Sequence, residues 1–169
     1  MSRSPPQSRP PAQTAAPKPG QILARGVCRM LGSLGFVGVE EFVPARGLRL
    51  DVLALGPKGE LWVIECKSSR ADFTSDRKWH TYLEWGDRFF WAVDSAFPTG
   101  LLPEETGLIL ADGYGGEVVR MGDEAKLPPA RRKLITRKFA QHAARRLQAL
   151  RDPGAAALDD LKSSLQATD

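Results

Sequence analysis

Residues 48–69, LRLDVLALGPKGELWVIECKSS, constrain this chain more than any other stretch. Two runs of Leu, Val, Ala, Trp and Ile flank a Gly56-Pro57-Lys58-Gly59 turn, the pattern of two hairpin strands buried on both faces. Three charges sit inside this apolar pair: Asp51 on the first strand, Glu65 and Lys67 on the second. Side chains alternate along a strand, so Glu65 and Lys67 point the same way. Asp51 lies one hairpin away, at a separation that lets it face Glu65. A carboxylate among apolar side chains is unfavourable unless it is paired or holds a cation. Two carboxylates and an ammonium converging across neighbouring strands make a divalent-metal site with a positive group beside it, which is equipment for cleaving a phosphodiester. The competing reading of an acid-x-Lys on a strand is a solvated ion pair at an edge. Trp62, Val63 and Ile64, leading straight into Glu65, argue against an edge.

The remainder of the chain frames this pair. At 169 residues, 42% apolar and 26% charged, it is sized for one domain with a modest core. Residues 1–20 are rich in Pro, Ser, Gln and Ala, carry Arg3, Arg9 and Lys18 without an acid, and are expected to form a disordered basic arm. The domain is expected over residues 21–151, with 152–169 a flexible tail after the Asp152-Pro153-Gly154 break. Leu23, Val27, Met30, Leu31 and Leu34 recur at helical spacing over 22–34, before Gly35. Strands are predicted at 37–43, 48–55, 60–67 and 88–93, and a helix at 73–85 capped by Ser69 or Asp72. These six elements run in the α/β order αβββαβ, and a late hairpin of 108–111 with 117–121 and a last helix at 131–150 follow them. The helical crossover before 88–93 requires a parallel partner, so the sheet is mixed and flanked by helices.

Some features narrow the function. Cys28 and Cys66 have the spacing of neither a disulfide framework nor a metal site and read as buried free thiols. No apolar run approaches the roughly 18 residues of a membrane span, and the N-terminus lacks a secretory apolar core. A cytoplasmic protein with no membrane partner is expected. The last helix carries Arg131, Arg132, Lys133, Arg137, Lys138, Arg145, Arg146 and Arg151, with no acid between Ala125 and Arg151. Leu134, Phe139, Ala143, Leu147 and Leu150 are its predicted buried stripe. The outer face is then a one-signed basic surface about 30 Å long, and solvated faces usually alternate in sign. With a net charge of +4, this predicts binding to DNA through its phosphates, tolerant of sequence. His80 and His142 are isolated and predict packing or surface roles. Trp79 and Leu83 are predicted to pack in the core, and Asp72 and Asp76 to serve the start of the 73–85 helix.

Asp51, Glu65 and Lys67 resemble the signature of the PD-(D/E)XK nuclease superfamily, an acid on one strand and acid-x-Lys on the next, here with thirteen residues between the acids. Leu50 stands where the signature has proline. From about residue 21 to 151 the chain also resembles the bacterial MmcB-like DNA repair proteins, a branch of that superfamily. That likeness includes ADFTSDRKWHTYLEWGDRFFWAVD, FPTGLLPEETGLILADGYGGEVVR and the basic helix. The resemblance implies a restriction-endonuclease-like core and a Mg²⁺-dependent endonuclease, with Mn²⁺ as a substitute, acting on damaged or branched DNA in repair. It implies Asp51, Glu65 and the Cys66 carbonyl as metal ligands. Lys67 would stabilise the phosphorane-like state or hand on a proton if its pKa falls. Lys78, early in the second helix, would touch the phosphate or the water. A structural ion pair is the alternative role for Lys67. Many superfamily members add a glutamate on the first helix; this chain has none there, and Glu40 and Glu41 on the next strand are the substitutes at hand. The rival function is a non-catalytic DNA-binding or adaptor protein on the same fold. The likeness leaves open a homodimer or a repair-protein partner, and it places the protein at the nucleoid.

Overall fold

The structure, a computed structural model, describes residues 16–154. The arm before residue 16 and the tail after 154 lie outside the described residues. The elements run α1 (Pro19–Ser33), β1 (Val37–Phe42), β2 (Leu50–Leu55), β3 (Leu61–Cys66), α2 (Arg70–Ser75), a 3-10 segment (Trp79–Trp85), β4 (Arg88–Val93), β5 (Gly107–Ala111), β6 (Gly116–Arg120) and α3 (Pro129–Arg151). The fold is mixed α/β: one six-stranded sheet in the order β1-β2-β3-β4-β5-β6, flanked by helices. β1–β2, β2–β3 and β5–β6 pair antiparallel, whereas β3–β4 and β4–β5 pair parallel. The parallel partner expected of β4 is therefore β3, reached through α2 and the 3-10 segment.

The sheet has apolar side chains on both faces because a helix covers each. On one face Leu23, Val27 and Leu31 of α1 meet Val52, Ile64, Phe90 and Ile109. On the other, Ile135 and Phe139 of α3 and Trp79 meet Phe42, Leu53, Val63, Phe89 and Trp91. β3 lies at the centre and is buried at all six positions. Each fully buried side chain of this size contributes about 1.5–3 kcal/mol. Gly26 lets α1 lie against the β5–β6 turn: a Cβ there would stand 1.8 Å from the Asp112 carbonyl oxygen. In the β2–β3 hairpin Gly59 has φ +84°, a left-handed conformation natural to glycine. No helix of the described residues is long and apolar enough to cross a membrane.

Several sequence expectations are corrected. The first helix starts earlier, with Pro19 at its opening position and Gly20 following, so the arm gives up two residues to the domain. The single helix expected over 73–85 is two pieces. Ser69 caps α2 by accepting the Asp72 N–H, but the backbone leaves helical geometry at Asp76 (ψ 89°), and only a 3-10 segment resumes at Trp79. Lys78 therefore stands between the two pieces and not within a helix. Trp79 is buried as expected, but Leu83 is 41% exposed. In α3 the buried residues are Ile135 and Phe139. Leu147 and Leu150 are exposed, because the C-terminal end of the helix outruns the sheet that would cover them.

Candidate active site

The β2–β3 ladder, read from its hairpin turn, ends at the pair Val52–Ile64. One step further the strands splay, and the backbone amides released there are taken by side chains. The Asp51 N–H donates to Glu65 Oε1 at 3.1 Å, and the Cys66 N–H donates to Asp51 Oδ2 at 2.9 Å. The two carboxylates thus clasp the diverging strands reciprocally, and Asp51 faces Glu65 as its position predicted. Beside them on β1, Glu41 adopts φ 55°, a strained conformation for a non-glycine residue. Its carboxylate pairs with Arg49 at 2.8 Å.

Lys67 completes the group. Its backbone N–H extends the β3–β4 ladder to the Ala92 carbonyl at 2.9 Å. Its ammonium lies 3.9 Å from Glu65 Oε2 and 5.6 Å from the centre of the Trp91 ring. Its strongest partner is one the sequence reading missed: Asp76 Oδ2, at 2.7 Å. Asp76 Oδ1 also accepts the Lys78 N–H at 3.0 Å. Asp76 was expected in a helix's first turn; instead helix α2 ends at this residue and its carboxylate faces the buried lysine. The signal in the sequence was the charge itself, since a buried ammonium needs more than one distant acid. Asp72 turns its carboxylate back to the Ser68 N–H and hydroxyl.

Electrostatics separate these groups. Burial, reinforced by the facing Asp51, pushes Glu65 up to about 9, against the relief given by the Asp51 amide and Lys67. Burial also raises Asp51, opposed by the Cys66 amide and Lys67. Burial alone would depress Lys67, but the hydrogen bond and charge of Asp76, with Glu65, carry it above its ordinary value. Lys67 is therefore a fixed cation at neutral pH and not a proton donor of lowered pKa.

These residues form part of a crevice of about 770 Å³ at the carboxyl end of β3. Its walls come from the start of α1 (Pro19, Gly20, Gln21), from Glu40 and Glu41, from Ser68, Asp72 and Asp76, and from Tyr82. Its acids are Glu40, Glu41, Asp51, Glu65, Asp72 and Asp76, against the cations Lys18, Arg49 and Lys67. Glu40 and Glu41 of β1 line this crevice. Lys78 does not line it and is exposed. The reason is the end of α2 at Asp76. Among the described residues no group of three or more His, Cys, Asp or Glu is arranged to hold a metal.

The basic helix divides into two parts. Arg131 is held by Glu84 at 3.0 Å and lies over Trp85. Arg132 forms a 2.5 Å pair with buried Asp87 and donates to the Gly59 carbonyl at 2.6 Å. Asp87 also accepts the N–H groups of Leu61 and Leu127, and although burial works to raise its pKa, the Arg132 and amide bonds lower it. Lys138 donates to the Pro44 carbonyl at 2.6 Å. These three of the expected DNA contacts are thus engaged in bonds within the chain. Lys133, Arg137, Arg145 and Arg146 are exposed, with no ion pair among the described residues. Because Arg132 touches the hairpin turn and Lys138 touches the end of β1, α3 runs toward the crevice end of the sheet. His142 follows, packed edge-on against Phe42 at 5.6 Å. Arg146 lies near enough to Cys28 to oppose the effect of Glu40 on that thiol, which burial pushes up to about 11. His80 is a surface residue stacked on Trp79. Cys28 and Cys66 are free thiols, Cys66 buried and Cys28 half-buried.

Fold and site together define an α/β protein whose mixed sheet opens, at the end of its central strand, onto a crevice lined with carboxylates around one buried lysine. The chain belongs to the MmcB-like DNA repair protein family, whose model matches residues 7–154. It is similar over 82% of its length, and over 95% of the other chain, to a solved structure of a protein of unknown function from Silicibacter pomeroyi, at 69% identity and a TM-score of 0.81. No curated protein matches it.

Proposed function

We propose that this DNA repair protein is a Mg²⁺-dependent phosphodiesterase of the PD-(D/E)XK type, an endonuclease acting on damaged or branched DNA. The observation that carries the reading is the facing pair Asp51–Glu65, a half-buried and a buried carboxylate both raised by burial, with Asp51 raising Glu65 further, beside a lysine held cationic. A divalent cation would relieve that repulsion. Each carboxylate gives only one oxygen to a backbone amide, which leaves the other for a metal. Mg²⁺ takes one or two carboxylates with water and phosphate oxygens, and the Asp51–Glu65 pair offers two carboxylates. Asp51 and Glu65 would hold it, with the Cys66 carbonyl as a third donor, and Mn²⁺ would substitute. The bound ion supplies an activated water and a counter-charge for the phosphate. The chain's own contribution is electrostatic. Lys67 offsets negative charge developing on the phosphate, and Asp76 with Trp91 orients its ammonium.

The non-catalytic reading has one observation in its favour: Asp76 already neutralises Lys67. Incubating the protein with linear, nicked, single-stranded and branched DNA, with Mg²⁺, Mn²⁺ or EDTA, decides between them. Cleavage that requires the metal and is lost in Asp51→Ala, Glu65→Ala and Lys67→Ala supports the nuclease. Tight binding with no cleavage of any substrate in either metal overturns it.

A further inference from the structure

We propose that the crevice admits a single DNA strand, as a free end, a flap or a displaced segment, and excludes the face of an intact duplex. This rests on the nuclease reading of Asp51, Glu65 and Lys67, and it names the strand form that those residues meet. The reactive groups lie on a floor: Glu65 is 3% exposed and Lys67 6%. A space of about 770 Å³ suits a ligand of drug-like size, comparable with one or two nucleotides. A duplex presents its phosphates on a broad convex surface, poorly suited to reach side chains buried this deeply. One flexible strand can reach them.

The charge distribution agrees. Walls and floor carry an excess of carboxylates, which repels a phosphate backbone everywhere except where a cation is bound. Apart from Lys18, Arg49 and Lys67, the nearby cations stand outside the crevice. Arg46 lies on the β1–β2 loop, Arg70 and Arg77 flank the wall residues Asp72 and Asp76, and Arg145 and Arg146 extend from the end of α3; all are exposed. A strand can lie along these rim cations by its phosphates and dip one linkage to the floor. Tyr82 on the wall offers a ring against which an unpaired base can stack, a contact a paired base cannot make.

Gly20 provides a clean obstruction. It lines the crevice, and a Cβ built on it meets nothing within 4 Å, so Gly20→Trp adds bulk at the mouth without disturbing the helix. The experiment titrates the wild type, Gly20→Trp and Arg70→Glu/Arg77→Glu against a single-stranded oligonucleotide, a flapped duplex and a blunt duplex. Binding is read in Ca²⁺ by fluorescence anisotropy, and cleavage in Mg²⁺ by the map of products. Single strand and flap should bind at least about tenfold tighter than blunt duplex. Both variants should lose about that factor for single strand and flap, while Gly20→Trp leaves duplex binding unchanged, and cuts should fall in the unpaired arm. Equal binding of blunt duplex and single strand, or full strand binding by Gly20→Trp, overturns the inference. Rapid cutting of blunt duplex overturns it too and leaves the nuclease reading standing. Strand-selective binding without any cleavage does the reverse.

Discussion

Glu65→Gln should make the metal-free protein more stable at mildly alkaline pH, although it removes a charge from the centre of the site. The wild-type carboxyl is buried, faces Asp51 and is pushed up to about 9 in the folded state. In the unfolded chain it titrates near the ordinary glutamate value. Between those values the folded protein binds a proton that the unfolded chain has released, so stability falls as pH rises and levels off above about 9. The limiting slope is about 1.4 kcal/mol per pH unit. From pH 7 to 8.5 it amounts to roughly 2 kcal/mol. That window avoids His142, which burial and then Arg146 lower from its ordinary value, so that it acts at more acid pH. It also ends below the ordinary thiol value of 9.0, above which the raised Cys28 and Cys66 would add to the fall. Glutamine retains the oxygen that accepts the Asp51 N–H and cannot ionise. Urea unfolding in EDTA at half-unit steps should show the wild-type midpoint falling across the window and the Gln variant nearly level. At pH 8 added Mg²⁺ should stabilise the wild type, release protons into unbuffered solution and leave the variant unchanged. Parallel slopes in the two proteins would refute the placement of this strain at Glu65.

Other perturbations test separate parts of the structure. Asp51→Ala leaves the buried Cys66 N–H without its acceptor and should lose about 1–3 kcal/mol of stability, visible in denaturant melts, with Asp51→Asn recovering most of it. Asp87→Ala strips Leu61, Leu127 and Arg132 of a shared partner and should lose about 3 kcal/mol or more, whereas a surface ion pair would lose under about 1 kcal/mol by the same measurement. Reversing Arg137, Arg145 and Arg146 to Glu should flatten the salt dependence of DNA binding by about 0.9 per lost phosphate contact on duplex, with an unchanged melting temperature. Arg132→Glu should instead unfold the protein, and its circular dichroism melt checks this. Gly26→Ala drives a methyl into the Asp112 carbonyl and should destabilise by about 1–3 kcal/mol, read as a lowered urea midpoint.

Much of this was legible in the chain because it depends on local spacing. Strand alternation set Glu65 and Lys67 on one side, and the short hairpin put Asp51 across from Glu65. The uninterrupted apolar runs announced a central, doubly covered strand, and a crossover before β4 required the parallel pairing. Local pattern also misled where long-range charge prevailed. The 73–85 stretch has a helical spacing of Trp, Tyr and Leu, yet the buried ammonium of Lys67 draws Asp76 inward and the helix ends there. That break keeps Lys78 out of the crevice and makes Asp76 the partner no motif indicated. In α3 the sequence shows an unbroken basic face. Only the packing reveals that Arg131, Arg132 and Lys138 close onto Glu84, Asp87 and Pro44, while Lys133, Arg137, Arg145 and Arg146 stay exposed. The sequence by itself determined the strand pair, its charges and the sheet they belong to, because periodicity and turn chemistry act over a few residues. Tertiary structure alone decided which acid answers each buried cation, because such partners are chosen by proximity in the folded core.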